Sequence, residues 1–578
     1  SAGSNHFTPT NISASDQVVD SPSNNFSIIN ALDGRIESGD VFAEGNLSYK
    51  NTLNSGSPMK RASFGMRGGK WYWEVLRADS PGEQGATMGI LPSAQGRPVG
   101  VTIGGAQIPG GIGIYSNGST SGLNSGGTIN GTSTAQAQND VLMWAWDGDT
   151  GKLWLGFNGT WRNSGDPATG ANSWADITAY ATNTYSPAFQ VHNNVEFRAN
   201  FGQDSSFAGA ISSGGNSDDE GFGDFKHDVP AGFKALCSKN LPSCDITPSE
   251  HFGVMLFDDG AGAKTFASHG IPSGVAFTPE LIWLKTRGSS QNHRMCDVIQ
   301  GVGKAMQPND GAAQVTEGTG LTAFGSDGFT VGATTGYSDT TGDGMVAWCW
   351  KLGGSPTADN SAGAGATPTA GSVKIDGSNL GSSLAGSIAV TRLTANTEAG
   401  ISVGQWTGTG ANATIAHGLS QAPDLVVIHN IGAGASMDFT DFLRRDSTIG
   451  VADYEPIWHD LAPTATVINL GSADASNRAG VNRFEAYHSV EGFSLVGAYQ
   501  GNSDSDGSYI HCNFTPAYIL IKGIDATTDW WIFDSARSGK VGLRGNTAAA
   551  EESGGILDIV SNGFKLRNSS YGDVAGTE

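Results

Sequence analysis

Few residues in this chain have both the type and the spacing that chemistry needs. Asp218, Asp219 and Glu220 form one acidic cluster, and Glu551 and Glu552 another. Paired carboxylates cleave glycosidic bonds when they face each other across a cleft at about 5–10 Å. Neighbours in sequence do not establish that geometry, so both clusters are read as solvated acidic faces. The turns DGDTG (147–151) and SDSDG (503–507) offer the oxygen ligands that Ca²⁺ takes. Neither carries the distal Glu of an EF-hand loop, and Asp and Gly at this density also make ordinary turns. The expectation is no cofactor and no metal, with Ca²⁺ at these turns the one cation considered. His269 and His417 each precede a glycine and read as turn residues, while His488 and His511 stand alone. Cys237 and Cys244 are close enough in sequence to bridge or to stay free, and their spacing is not that of a zinc ribbon. No Gly-x-Ser-x-Gly elbow, His-Glu-x-x-His pair or phosphate-binding Gly-Lys-Ser/Thr loop occurs. No catalytic residue is assigned. The ligand-binding candidates are Trp161 and Arg162, placed by NGTWRNSGD on a turn where an indole stacks on a sugar or plugs the edge of a sandwich.

The elements that would position such residues are strands. Of 578 residues 84 are Gly, and only 15% are charged, well under the usual ~25%. Bursts of Trp, Phe, Val and Ile alternate with Gly, Ser, Asn and Asp, the composition of an all-β chain with many tight turns. A length of 578 residues implies several domains. The net charge of −23 and the lack of a basic run exclude nucleic-acid binding, which rests on Lys and Arg at phosphates. No apolar stretch reaches the ~18 residues of a membrane-crossing helix, and no signal-peptide pattern opens the chain.

A phrase written twice organises the second half. FTPELIWLKT (277–286) returns as FTPAYILIKG (514–523). The interval from Trp406 to Pro423 equals that from Tyr499 to Pro516, and a strand pattern follows each proline. A second phrase recurs as SDGFTVG (326–332), VEGFSLVG (490–497) and SNGFKL (561–566). Asp297 and Asp534 stand at the same offset from Lys285 and Lys522. The expected organisation is an N-terminal extended segment (1–55), a β-sandwich (56–208), a linker or crossing segment (209–249), module 1 (250–354), a Gly/Ala-rich spacer (355–399), module 2 (400–492) and module 3 (493–578). The spacer has too little apolar mass to fold alone and is expected against a neighbouring subunit, which implies a homo-oligomer. Module 3 lacks a counterpart of MVAWCWKLGG (345–354), so its sheet is expected to need a strand from a continuing polypeptide or another chain.

GKWYWEV, a central MGI, DGDTGKLWLGFNGTW and VEFRANFGQ, in that order, resemble a SPRY domain over about residues 60–207. That resemblance implies an antiparallel two-sheet sandwich with its loops gathered on one rim. FTPELIWLKTR, GSDGFTVG and MVAWCWKLGG resemble modules of bacteriophage virion proteins over about 210–578, with module 2 departing at Val427, Ile428 and His429. What this resemblance implies is a non-enzymatic virion structural protein, most simply a tail or surface fibre for host attachment and trimeric if so. Its partners would be other virion proteins and a host surface glycan or protein, its place the virion surface, with no membrane insertion. A capsid decoration or head fibre, or a secreted bacterial adhesin or extracellular matrix protein, is the alternative.

Overall fold

The computed structural model describes residues 18–577 apart from 34–37, 54–58, 80–85, 93–109, 123–126, 179–183, 258–261, 268–275, 311–312, 339–341, 432–441, 445–461, 473–476, 524–527, 555–556 and 570–575. The described chain is all-β, with short 3-10 turns and no long helix. It divides into two compact units: Ser1–Pro242 with Tyr499–Asn513, and Ser243–Ala498 with Phe514–Glu578.

Unit 1 is an antiparallel sandwich. Its strands are β1 (Asp40–Ala43), β2 (Ser48–Asn51), β3 (Met59–Arg61), β4 (Lys70–Arg77), β5 (Ala86–Pro92), β6 (Ile112–Tyr115), β7 (Val141–Asp147), β8 (Lys152–Phe157), β9 (Tyr185–Val191) and β10 (Glu196–Asn200). One sheet runs β1-β2-β10-β4-β7-β8 and continues through Ala175–Asp176 and Thr128–Ile129. The other runs β3-β9-β5-β6 and ends on Thr120–Gly122. The period of two in β4 sends Trp71, Trp73 and Val75 between the sheets. There Trp73 stacks on Trp144, with ring planes 4° apart, and Trp174 meets Trp144 edge-on. Tyr72 and Glu74 point the other way, yet both are also buried.

Residues 209–242 explain that second burial. Expected to be a linker or a crossing segment, they form a strap that seats Phe225, Phe233, Ala235 and Cys237 on Tyr72, Met143, Ala145 and Trp154. Its strand Lys234–Ala235 pairs parallel with β4. Nor is the N-terminal segment merely extended: Phe26 and Ile29 are core residues, and β1 and β2 belong to the sheet. Both segments carry too few apolar residues to read as strands, but each covers surface the sandwich leaves open.

Unit 2 holds three related sheets. In module 1, β11 (Phe252–Phe257), β12 (Leu281–Thr286), β13 (Arg294–Asp297) and β14 (Met345–Trp350) take the order β11-β14-β12-β13. In module 2, β15 (Val390–Asn396), β16 (Ile401–Gly408), β17 (Leu425–Asn430), β18 (Phe442–Arg444) and β19 (Gly480–Tyr487) run β15-β16-β19-β17-β18. In module 3, β20 (Tyr518–Ile521), β21 (Trp531–Asp534) and β22 (Val541–Arg544) run β20-β21-β22 and end on Glu552–Ser553. The proline strands β12, β17 and β20 are thus equivalent. Leu281 pairs with Asp297 as Leu425 does with Arg444 and Tyr518 with Asp534.

Two sequence expectations change here. The spacer is not a separate element: Val373–Ile375 pairs with β15, and Val373, Val390, Leu393 and Ala395 are buried in module 2. The premise that a neighbouring subunit must cover it therefore falls. VEGFSLVG is not module 2's copy of SDGFTVG. It forms a turn closed by a Val490–Ser494 bridge, after β19 has already supplied the strand equivalent to β14.

Candidate functional site

The ligand-binding candidates lie at the end of β8. Trp161 is half-buried, packs edge-on to Tyr72 at 6.4 Å and joins the cluster beneath the strap. Arg162 lies over the Phe157 ring at 4.5 Å and donates from Nη2 to Thr134 Oγ1 at 2.6 Å. The indole thus packs into the cluster beneath the strap, and Arg162 is engaged by Phe157 and Thr134.

The acidic clusters are only in part solvated faces: Asp219 and Glu220 are exposed, whereas Asp218 is buried and Glu551 and Glu552 are half-buried. Asp218 is 5% exposed, and its carboxylate accepts from the backbone N–H groups of Glu220, Phe222 and Ala235 and from Asn240 Nδ2. It folds the strap. Glu551 accepts two hydrogen bonds from Arg287 and one from Arg537, and Glu552 pairs with Arg544. Arginine's planar fork holds Glu551 in place, and its carboxyl is kept below the usual range by Arg287 and Arg537 despite burial. In DGDTG, Asp147 Oδ1 accepts from Asp149 and Thr150 N–H, a turn that occupies the carboxylate. In SDSDG, Asp504 accepts from Asp506 N–H. Among the described residues, no group of three or more His, Cys, Asp or Glu could hold a metal ion. Cys237 and Cys244 are both free. His417 is a turn residue: Nδ1 accepts from Leu419 N–H and Nε2 meets Thr464 O. His269 lies outside the described residues.

What sequence reasoning missed is two sets of buried ionisable groups. Under the strap, Glu74 accepts from Tyr72 Oη, Asn200 Nδ2 and the backbone N–H groups of Lys226 and His227. Burial nevertheless pushes its carboxyl up to about 7, these four donors only partly opposing the loss of water. The carboxylate is the fixed point on which the strap turns. In GKWYWEV it reads as a solvent-facing strand position, because the period of two does not announce a second cover.

The other set binds the modules of unit 2. Their inner faces share one apolar cluster, with Leu281, Trp283, Val346 and Trp348 from module 1, Ile401, Val403 and Val427 from module 2, and Ile532 and Leu543 from module 3. Polar pairs cross it. Arg483 Nε donates to Asp297 Oδ2 at 2.7 Å, and Arg483 also pairs with Glu485, which meets His429 Nε2 at 3.2 Å. The side chains of Asp297 and Arg483 are fully buried. Arg483 and His429 hold the Glu485 carboxyl at about 2, against the opposing effect of burial. Between modules 3 and 1, Trp348 Nε1 donates to Asp534 Oδ2 at 3.0 Å, and Asp534 also accepts from Arg537 Nε. His293 Nδ1 accepts from Trp283 Nε1, while its Nε2 lies 3.1 Å from the carbonyls of Arg544 and Thr547. Burial pushes the pKa of that ring down to about 3, which favours its neutral form. The equal offset of Asp297 and Asp534 is the sequence trace of this network. These groups are occupied with one another and tie modules together; none faces a cleft with a free carboxylate or nucleophile.

A sequence profile described as "Domain of unknown function (DUF7483)" matches residues 247–577. Solved structures similar to the chain include the SPRY domain of human HERC1, at 12% identity over 29% of this chain and 91% of that one, with a TM-score of 0.21. The PSpry domain of TRIM65 matches at 10% identity over 30% of this chain and 89% of that one, with a TM-score of 0.22. No curated protein matches the chain.

Proposed function

The chain belongs to the DUF7483 family, and we propose that it is a structural protein of a bacteriophage virion, a tail fibre or other surface fibre that presents β domains for host attachment. The observation that supports this reading is the joining of three related modules through one shared apolar cluster, crossed by the buried Asp297–Arg483 ion pair and the Trp348–Asp534 hydrogen bond. A breathing catalytic cleft gains nothing from such joints, whereas a scaffold gains a fixed arrangement of its parts. The acidic charge of −23 favours solubility and discourages non-specific adhesion to anionic surfaces. The phage setting comes from the resemblance of the module phrases and has its own test. Antibody against the chain, applied to purified particles and to culture supernatant, places label on tail or surface fibres. Label on the capsid favours the decoration reading, and antigen confined to the supernatant favours a secreted adhesin.

Hydrolase activity is not part of the proposal, because Asp218 and Glu551, the most buried carboxylates of the acidic clusters, are bound to backbone or arginine donors. Release of reducing sugar from host envelope, lost on substituting one of these carboxylates, would overturn it. A homotrimer follows only from the fibre reading, now that the spacer is covered by its own chain. Sedimentation at micromolar concentration measures it.

A further inference from the structure

Lysine is almost never fully buried in a folded protein, yet the Lys60 side chain has no exposed surface. Lys60 stands on β3, in one sheet of unit 1, and its side chain crosses to β1, in the other. There Nζ lies 3.5 Å from Asp40 Oδ2, and the Asp40 side chain is fully buried as well. Nζ also donates to the Asp33 carbonyl at 3.1 Å and lies 5.9 Å from the centre of the Phe42 ring, which stacks on Tyr49. The second carboxylate oxygen is held differently. Asp40 Oδ1 accepts from Tyr49 Oη at 2.9 Å and from Asn51 Nδ2 at 2.8 Å. Tyr49 and Asn51 are fully buried, and Asn51 Oδ1 accepts from Leu53 N–H at 2.8 Å, which fixes the amide so that Nδ2 faces Asp40.

The two oxygens of one carboxylate thus have different company. A primary amine meets Oδ2, and two neutral donors converge on Oδ1. Acyl transfer uses this division: a nucleophile beside the carbonyl carbon, and paired donors at the oxygen where negative charge develops. In bulk water an amine and a carboxylic acid stay ionised and do not condense. In this site both are withdrawn from water, where a pair of opposite charges is costly to keep. An amide between them carries neither charge, and the same exclusion of water protects it from hydrolysis.

We propose that Lys60 and Asp40 are joined by an intramolecular isopeptide bond that the folded unit 1 forms by itself. The Lys60 ammonium passes one proton to Asp40 Oδ2. The freed Nζ lone pair forms a bond to Asp40 Cγ, and the carbonyl electron pair moves onto Oδ1, where Tyr49 and Asn51 stabilise it. That pair then returns, the Cγ–Oδ2 bond breaks, and Oδ2 leaves as water with a second proton from the nitrogen. No co-reactant is consumed. The product is a covalent staple from β1 to β3, one strand in each sheet of the sandwich. It stands apart from the virion reading, since its evidence lies wholly within unit 1.

Mass spectrometry of the full chain tests this. The purified protein should weigh one water less than its sequence. Trypsin should release residues 36–50 and 51–61 as one branched peptide, uncut after Lys60, with fragment ions that place the link between Asp40 and Lys60. Lys60→Arg keeps the charge without the nucleophile, and Asp40→Ala removes the electrophile. Both variants should show the full mass and separate peptides. Tyr49→Phe removes one donor at Oδ1 and should slow linkage by roughly a hundredfold, seen as an unlinked fraction that shrinks on incubation. A parent chain of full mass with unlinked peptides, even after prolonged incubation, would overturn the proposal whatever the variants do. So would loss of ammonia with Lys60 joined to Asn51. Complete linkage of Tyr49→Phe at the first time sampled would overturn the part given to Tyr49.

Discussion

Asp297 and Arg483 show how much one pair decides. Both side chains are fully buried, and removing one partner leaves the other charged and uncompensated. Asp297→Asn is expected to lower unfolding free energy by about 3–5 kcal/mol, while a well-packed apolar replacement of the whole Asp297–Arg483–Glu485 set costs far less. Denaturant titration of both variants checks the asymmetry. Two other buried groups titrate in opposite senses. His293 has its pKa lowered to about 3, so the unfolded chain binds the extra proton between about 6.5 and 3. The stability this group contributes is present above 6.5 and is lost as pH falls through that window. Glu74 is raised to about 7 from 4.5, so the folded chain holds the extra proton. Its contribution is present below 4.5 and is lost as pH rises through 7. Glu74→Gln should flatten the decline of unit 1 stability between pH 4.5 and 7, and His293→Gln should flatten the acid-side loss of unit 2, both read from melting curves across pH. None of these roles was legible from residue type. Glu551 and Glu552 looked solvated because their arginine partners, Arg287, Arg537 and Arg544, lie far away in sequence or on another strand.

Strands were the legible scale, since alternation and the proline phrases mark β4, β7, β8, β12, β14 and β20 directly. Their covers were not. The strap, the N-terminal segment and the spacer hold isolated apolar residues whose burial depends on surfaces elsewhere in the chain. The phrase VEGFSLVG misled because it repeats Gly-Phe chemistry in a turn, while module 2 closes its sheet with the unlike segment Gly480–Tyr487. The MGI of β5, by contrast, has a direct physical cause. A Cβ on Gly89 would lie 1.9 Å from the carbonyl oxygen of Ile112 and 2.5 Å from Cα of Gly113 on β6. Both obstacles are backbone, so the sheet must part to admit even a methyl group. Gly89→Ala is expected to cost about 1–3 kcal/mol or more, as overpacking does, with the loss centred on unit 1. Exchange of the β5 and β6 amides, faster in the variant than in the parent while unit 2 amides stay unchanged, is the expected result.

At the scale of the molecule, chain order and unit boundaries part company. Unit 1 includes Tyr499–Asn513, a segment that the repeat had assigned to module 3. There Asn513 accepts from Gly65 N–H through Oδ1 and donates to Gly65 O through Nδ2. Tyr509 and His511 are buried, and Arg61, gripped by both oxygens of Asp33, also reaches the Tyr509 carbonyl. A unit that borrows fifteen residues (499–513) from within the three-module region cannot be cut after Pro242 without loss. The fragment 1–242 would leave the Gly65 backbone without Asn513 and uncover the surface under Tyr509. Unpaired buried groups cost about 1–3 kcal/mol each, so the fragment should melt below the same unit in the whole chain. A synthetic peptide of residues 499–513 added to the fragment should raise its melting temperature in proportion to the logarithm of peptide concentration. The peptide carrying Asn513→Ala should raise it less. A fragment as stable as the unit in the intact chain, or indifferent to the peptide, would show that unit 1 completes itself without the segment.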